Sequence, residues 1–311
     1  MRKFLAFSLL TIVFIIGTSF TVHENSEAYS RLSERYCTTA FGGDIEINNI
    51  KDNNVEVGHS IWISRKSRKV HAKYFAYKQN NEVVNDRYSE WKQNKQIVLM
   101  SSGTYAAGWD GTDKPVGVTV DNGNIVNRNY DSRMDGLVIV YATGGIVVSN
   151  IEDGDLYLDA LGKRVDIRNS YDRSQFLKWA QDEEATVFQT HLTIFKNELQ
   201  FKTDRNQVYS KQPKKAKRKF LILARNDDGE LFHIIYYFKQ KDYTMYEASA
   251  KTLTYLKSRK MNVIAAINLD TGGYDILSTG KGIKDCNGNY LKGTKNHERE
   301  NMTNMLTYWS E

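Results

Sequence analysis

Nine short runs rich in Val, Ile, Phe and Tyr recur along this chain: KYFAY at 73–77, QIVLM at 96–100, GVTV at 117–120, LVIVY at 137–141, GIVV at 145–148, LTIF at 192–195, FLILA at 220–224, LFHIIYY at 231–237 and VIAAINL at 263–269. Runs of this length, rich in β-branched and aromatic residues, read as strands. Gly144-Gly145 and Asp228-Gly229 each separate two of them and predict hairpins. Two helices are predicted. One spans 174–184, with Phe176, Leu177 and Ala180 at helical spacing. The other spans 244–260 and opens on Thr244 and Glu247, the spacing of a capping box. Many strands with a few helices late in the chain predict an α+β fold. Residues 20–60 are polar and weakly patterned and read as a lead-in with some order.

The first twenty residues, MRKFLAFSLLTIVFIIGTSF, set Arg2 and Lys3 before an apolar run and then the small residues Gly17, Thr18 and Ser19. That is the layout of a secretory signal peptide cleaved after Ser19. The other reading is an uncleaved anchor, although the run is short of the roughly 20 residues a spanning helix needs. The domains are then 1–19 signal peptide, 20–94 N-terminal strands and lead-in, and 95–311 one domain. Localisation is secreted or periplasmic, with membrane contact only through an uncleaved leader. In an oxidising compartment Cys37 and Cys286 either pair or remain two idle thiols. The net charge is +6, and much of the excess lies in KQPKKAKRK at 211–219. That run reads as a solvated loop between strands. No aromatic interleaves with it and export removes nucleic-acid partners, so none is predicted.

Three stretches could carry chemistry. INLDTGGYDIL at 267–277 ends a strand on Asp270, followed by Thr271, Gly272 and Gly273, whose backbone N–H groups could hold an anion or a sugar oxygen. A glycine turn capped by Asp270 is the rival reading. A second strand ends at Ser101, Ser102, Gly103 and Thr104, followed by Trp109, Asp110 and Asp113. Two ordinary turns would explain these as well. In VFQTHLTIF at 187–195 the polar Gln189, Thr190 and His191 interrupt an apolar segment. They line a pocket, or His191 is a structural core residue. No HExxH, zinc-spaced cysteine pair, GxSxG elbow, P-loop or EF-hand occurs, so neither metal nor cofactor is predicted.

The order and spacing of these blocks over residues 95–280 resemble the phosphodiester glycosidase family, which includes the enzyme that uncovers mannose by removing phosphodiester-linked N-acetylglucosamine. The matching blocks are Ser101-Ser102-Gly103-Thr104-Tyr105, Pro115-Val116-Gly117 and Asp121-Asn122-Gly123, then Gln189-Thr190-His191-Leu192, then Thr244 and Glu247, the helix, and Ala266-Ile267-Asn268-Leu269-Asp270-Thr271-Gly272-Gly273-Tyr274. This chain departs from the family pattern at the loop Asn (Ser102 or Ser101), at Thr271, at Tyr274 and at His191-Leu192, while Arg218 or Lys219 stands near a family Arg. The resemblance implies a single α+β domain with a long mixed sheet and a pocket where the loops of Gly103, His191 and Asp270 converge. It implies hydrolysis of a glycosyl phosphodiester in an envelope or extracellular glycan, on a carbohydrate or glycosyl-phosphate substrate. Asp270 and His191 would be catalytic. Ser102, Gly103, Thr104, Gln189, Thr271, Gly272 and Gly273 would bind substrate, with Asp275, Asp110 or Asp113 as a second carboxylate. A catalytically inactive glycan-binding protein on the same scaffold is the alternative, and a structural β-rich secreted protein without a pocket is a third.

Overall fold

An eight-stranded sheet forms the backbone of the molecule. Its strands run edge to edge as Leu32–Ala40, Ile45–Asp52, Val55–Ser64, Leu231–Tyr243, Ala216–Arg225, Asn262–Leu269, Leu192–Phe195 and Glu198–Leu199. This computed structural model describes residues 31–76, 84–106, 114–152, 156–158, 161–201 and 214–310. The predicted leader, and Trp109, Asp110 and Asp113, lie outside the described residues. The strand FLILA is apolar throughout because both faces of this sheet are covered. Leu221 and Leu223 join one buried cluster, while Phe220, Ile222 and Ala224 join another on the opposite face.

Two smaller sheets cover the first face. A four-stranded sheet runs Leu277–Thr279, Gln96–Ser102, Met305–Ser310 and Val70–Phe75. A five-stranded sheet runs Asn124–Asn127, Thr119–Asp121, Thr186–Thr190, Gly136–Val140 and Ile146–Asn150. Val98, Leu99 and Tyr74 of the first, and Val138, Val140 and Phe188 of the second, pack with Ile45, Ile61, Leu221 and Ile267 of the large sheet. Tyr74 stacks on Phe188 with ring centroids 4.3 Å apart.

Among the described residues, helices α1 (Val84–Trp91), α2 (Ser170–Asp182) and α3 (Met245–Ser258) close the outer faces. Helix α3 sets Met245, Ala248, Leu253 and Leu256 against the second face of the large sheet. Its capping box is formed: Thr244 Oγ1 accepts from Glu247 N–H and the Glu247 carboxylate accepts from Thr244 N–H. Helix α2 starts earlier than the sequence suggests, because Asn169 caps it by accepting from Tyr171 and Asp172 N–H. Its Phe176, Leu177 and Ala180 pack under the five-stranded sheet.

The α+β class holds, but the named sheets pair antiparallel throughout rather than mixed. The stretch read as a lead-in supplies three strands of the large sheet, and Cys37 on its edge strand is disulfide-bonded to Cys286. The basic run is not a solvated loop at its end. Strand structure begins at Ala216, and Arg218 and Lys219 are buried.

Candidate functional site

The three sheets share one corner. The chain crosses from the five-stranded sheet at Thr190 into the large sheet at Leu192, so His191 is the crossing residue. The strand Asn262–Leu269 ends beside it, and Asn268 N–H donates to His191 O at 2.9 Å. The end of Gln96–Ser102 completes the corner, where Asp270 N–H donates to Gly103 O at 2.8 Å. Short side chains lock the three ends together: Ser102 Oγ donates to Asp270 O at 2.7 Å, Thr104 Oγ1 to Gln189 O at 2.6 Å and Thr190 Oγ1 to Asn268 O at 2.7 Å. Gly103 is required for close approach: an added Cβ would lie 2.6 Å from the Tyr74 ring and overlap Asn304 Oδ1.

Asp270 is 4% exposed. Its Oδ1 accepts from Gly272 N–H at 2.7 Å, and the carboxylate also accepts from Tyr274 N–H. Burial raises its pKa, an effect these N–H groups and the Lys219 charge only partly offset. The glycines that follow are not there for backbone conformation. Neither Gly272 nor Gly273 has a positive φ, and nothing lies within 4 Å of where a Cβ on Gly273 would sit. With Gly272 N–H committed to Asp270, Gly273 N–H has no hydrogen-bond partner among the described residues. Thr271 is tethered by its hydroxyl to Lys217 O at 2.8 Å. Tyr274 turns away and packs with the cluster of Phe75, Ile276 and Met302.

Beneath this turn lies Lys219, fully buried, a residue the sequence placed only ambiguously. Its ammonium donates to Ser102 Oγ and to Ile276 O, each at 2.7 Å. Burial pulls its pKa down to about 8, with Asp275 and Asp270 opposing. Period two along the strand, with Leu221 and Leu223 inward, puts Lys219 on the core face; that alternation was the available signal. Asp275 is ionised and pairs with Lys217 Nζ at 3.3 Å. Burial would raise its carboxyl, but Lys219, the Thr294 hydroxyl and N–H and the Tyr237 hydroxyl outweigh it and hold the pKa below its ordinary value.

His191 is buried, with its ring edge-on to Tyr105 at 5.3 Å and no hydrogen-bond partner for Nδ1. Burial lowers its pKa to about 4, so the imidazole is neutral at pH 7; Asp131 opposes the shift, while the Arg133 and Arg218 charges add to it. Asn268 Nδ2 donates to Tyr105 Oη, and Asn268 Oδ1 is buried without a partner. Gln189 faces inward and is saturated by backbone. Its Nε2 donates to Asp131 O and Met134 O, and its Oε1 accepts from Val118 and Asp131 N–H. It thereby fixes the loop that carries Asp131 and Arg133 beside His191. Asn304, which donates to Thr104 O at 3.1 Å, reaches the corner from the C-terminal segment, where no sequence pattern marked it.

The structure thus brings Ser102, Gly103, Thr104, Gln189, His191, Asp270, Thr271, Gly272 and Gly273 to one corner. No group of three or more His, Cys, Asp or Glu able to hold a metal occurs among the described residues. No family model matches the chain, and no curated protein matches it. Among solved structures, the chain is similar to the catalytic domain of zebrafish N-acetylglucosamine-1-phosphodiester alpha-N-acetylglucosaminidase auto-inhibited by its pro-peptide, at 13% identity and a TM-score of 0.46, covering 93% of this chain and 85% of that one. It is also similar to a hypothetical protein from Synechocystis, at 11% identity and a TM-score of 0.44, covering 90% of this chain and 62% of that one. These are likenesses of overall shape, and the chemistry is read from the corner itself.

Proposed function

We propose that the chain is an exported glycosidase-like hydrolase that cleaves a glycosyl phosphodiester linkage at the corner built around Asp270. One observation carries this reading: three strand ends from three sheets meet at a buried carboxylate, beside a turn whose glycines the backbone does not require and whose Gly273 N–H is free among the described residues. A glycosyl phosphodiester breaks with a phosphate monoester anion as leaving group. The site must therefore stabilise positive charge at the sugar carbon and deliver water. The two carboxylates near the turn shift in opposite directions, Asp270 upward by burial and Asp275 downward. Asp270 is the carboxylate assigned to the sugar, and Gly273 N–H is a preorganised donor for a phosphate or sugar oxygen. His191, neutral at pH 7, fits a base that accepts a proton from water. Lys219 positions Ser102 and the Ile276 carbonyl beneath the turn. Export is supported by the charged and apolar leader and by the Cys37–Cys286 disulfide, which suits an oxidising compartment.

The test is turnover of a panel of glycosyl-1-phosphodiesters by the purified protein lacking residues 1–19, alongside Asp270→Asn. Turnover by the wild type and a loss of roughly 10²–10⁴-fold in the variant are expected. Equal turnover by the two proteins removes Asp270 from the chemistry. Sugar binding with no turnover by the wild type replaces the hydrolase with a glycan binder.

A further inference from the structure

At the far end of the large sheet lies a second cleft, of about 830 Å³. Arg225 on its wall stands six residues beyond Lys219 on the same strand, about 20 Å away at 3.3 Å per residue. The cleft is therefore separate from the Asp270 corner. Three turns build it: the one after Val55–Ser64, the Asp228-Gly229 hairpin, and the hairpin at 141–146. Arg65, Lys66, Arg68 and Arg225 line it, against the carboxylates Asp228 and Glu230. Glu230 is held by the Ser64 hydroxyl at 2.5 Å, and none of the four cations forms an ion pair with a described carboxylate.

The floor carries two buried polar atoms without partners. Arg65 Nη2 donates to Gly144 O at 3.2 Å, which fixes the guanidinium, while its Nη1 is buried and unpaired. His233 is fully buried. Its Nδ1 hydrogen-bonds Tyr308 Oη at 3.0 Å, and its Nε2 has no partner. Each leaves a hydrogen-bonding capacity, in a residue that lines the cleft, that no described protein group fills. A half-fixed guanidinium with a free nitrogen, in a cleft also lined by Lys66, Arg68 and Arg225, whose Nη1 donates to Gly229 O at 2.7 Å, suits an oxyanion with several acceptor oxygens. Gly144, whose carbonyl holds Arg65, packs closely on the neighbouring strand: a Cβ there would lie 2.6 Å from His71 Cα. On the rim, Tyr141 and Val147 are each 43% exposed and give the cleft an apolar side next to its charged one. Small-molecule sites pair an apolar wall with a few convergent polar groups in this way.

We infer that this cleft binds a phosphate or sulfate ester carried on a sugar, with Arg65, Arg68 and Arg225 on the oxyanion and Tyr141 against the ring. The site does not depend on the Asp270 reading. The test is calorimetric titration of the full chain at low ionic strength with glucose 6-phosphate, glucose 6-sulfate, glucose and inorganic phosphate. At least one ester is expected to bind more tightly than glucose and than inorganic phosphate, and the tighter ester identifies the oxyanion. The exposed substitutions Arg68→Gln and Arg225→Gln should each weaken that ester roughly tenfold or more. Tyr141→Ala should weaken the ester but not inorganic phosphate, and Asp270→Asn should leave binding unchanged. The inference is overturned if neither ester binds, if the arginine variants bind as the wild type does, or if Asp270→Asn abolishes binding. It is equally overturned if inorganic phosphate matches the ester and Tyr141→Ala is silent.

Discussion

Replacing His191 by Gln should make the protein markedly less sensitive to acid. The imidazole is buried against Tyr105, with Asp131, Arg133 and Arg218 as its charged neighbours, and burial brings its pKa to about 4 from an ordinary 6.5. Between those two values the unfolded chain binds a proton that the folded chain does not. The contribution to native stability is therefore complete above about pH 6.5 and is lost as the pH falls toward 4. At 1.36 kcal/mol per pKa unit, the loss at pH 4.5 is about 2.5 kcal/mol, while at pH 7 it is close to zero. Urea unfolding of the wild type and His191→Gln, at both pH values and fixed ionic strength, isolates this quantity. The packing cost of the substitution appears equally at both pH values and cancels. His59, lowered to about 4, and His233, lowered further, titrate in the same direction in both proteins and also cancel. The variant should lose about 2 kcal/mol less than the wild type between pH 7 and 4.5. Identical acid sensitivity in the two proteins would show that His191 has an ordinary pKa when folded, and would also remove the basis for assigning it as a base.

Gln189→Leu leaves four backbone groups of the 118 and 131–134 segments without their amide partner and should lower stability by about 3–5 kcal/mol in urea titration; a loss below 1 kcal/mol would mean that water replaces the amide freely. Gly103→Ala drives a methyl group into the Tyr74 ring, which its stacking on Phe188 holds in place, and should cost about 1–3 kcal/mol by the same measurement, with neutral behaviour refuting the close-approach argument. The Cys37–Cys286 bond closes a loop of sequence separation 249, so chain entropy gives a stabilisation on the order of 5 kcal/mol. Reductant should lower the urea midpoint of the wild type and leave the Cys37→Ser, Cys286→Ser double variant unmoved.

Much of the strand inventory was legible because the buried strands are continuous apolar runs, and α3 because Thr244 and Glu247 announce its start. The first three strands were not legible. Their buried positions include Asn48, bonded to Glu46 on its own strand, and Asn49 and His59, bonded to each other and, through Asn49, to Glu56 on the next strand; these polar residues interrupt the short alternations of Ile45 with Ile47 and of Ile61 with Ile63. At the corner, Asp270 and its glycines stood out as a pattern. What Gln189 does there depends on a loop 55 to 58 residues distant in sequence, and no local spacing encodes that. Lys219 hid inside a basic run: the same residue type reads as solvated on one side of Ala216 and as buried on the other.

The crossing of the chain at His191 has a consequence for how the site can be lost. Asn268, Asp270, Gln189 and Thr104 are bonded across three different sheets, so no single sheet owns the corner. Fraying at an edge strand leaves these bonds intact, whereas opening the corner requires separating layers that share one core. Amide protons such as those of Asn268 and Asp270 therefore belong to the most protected class, which exchanges only when the whole domain opens. On this geometry the site should persist until the layers themselves separate, a result that hydrogen exchange at Asn268 and Asp270 would show.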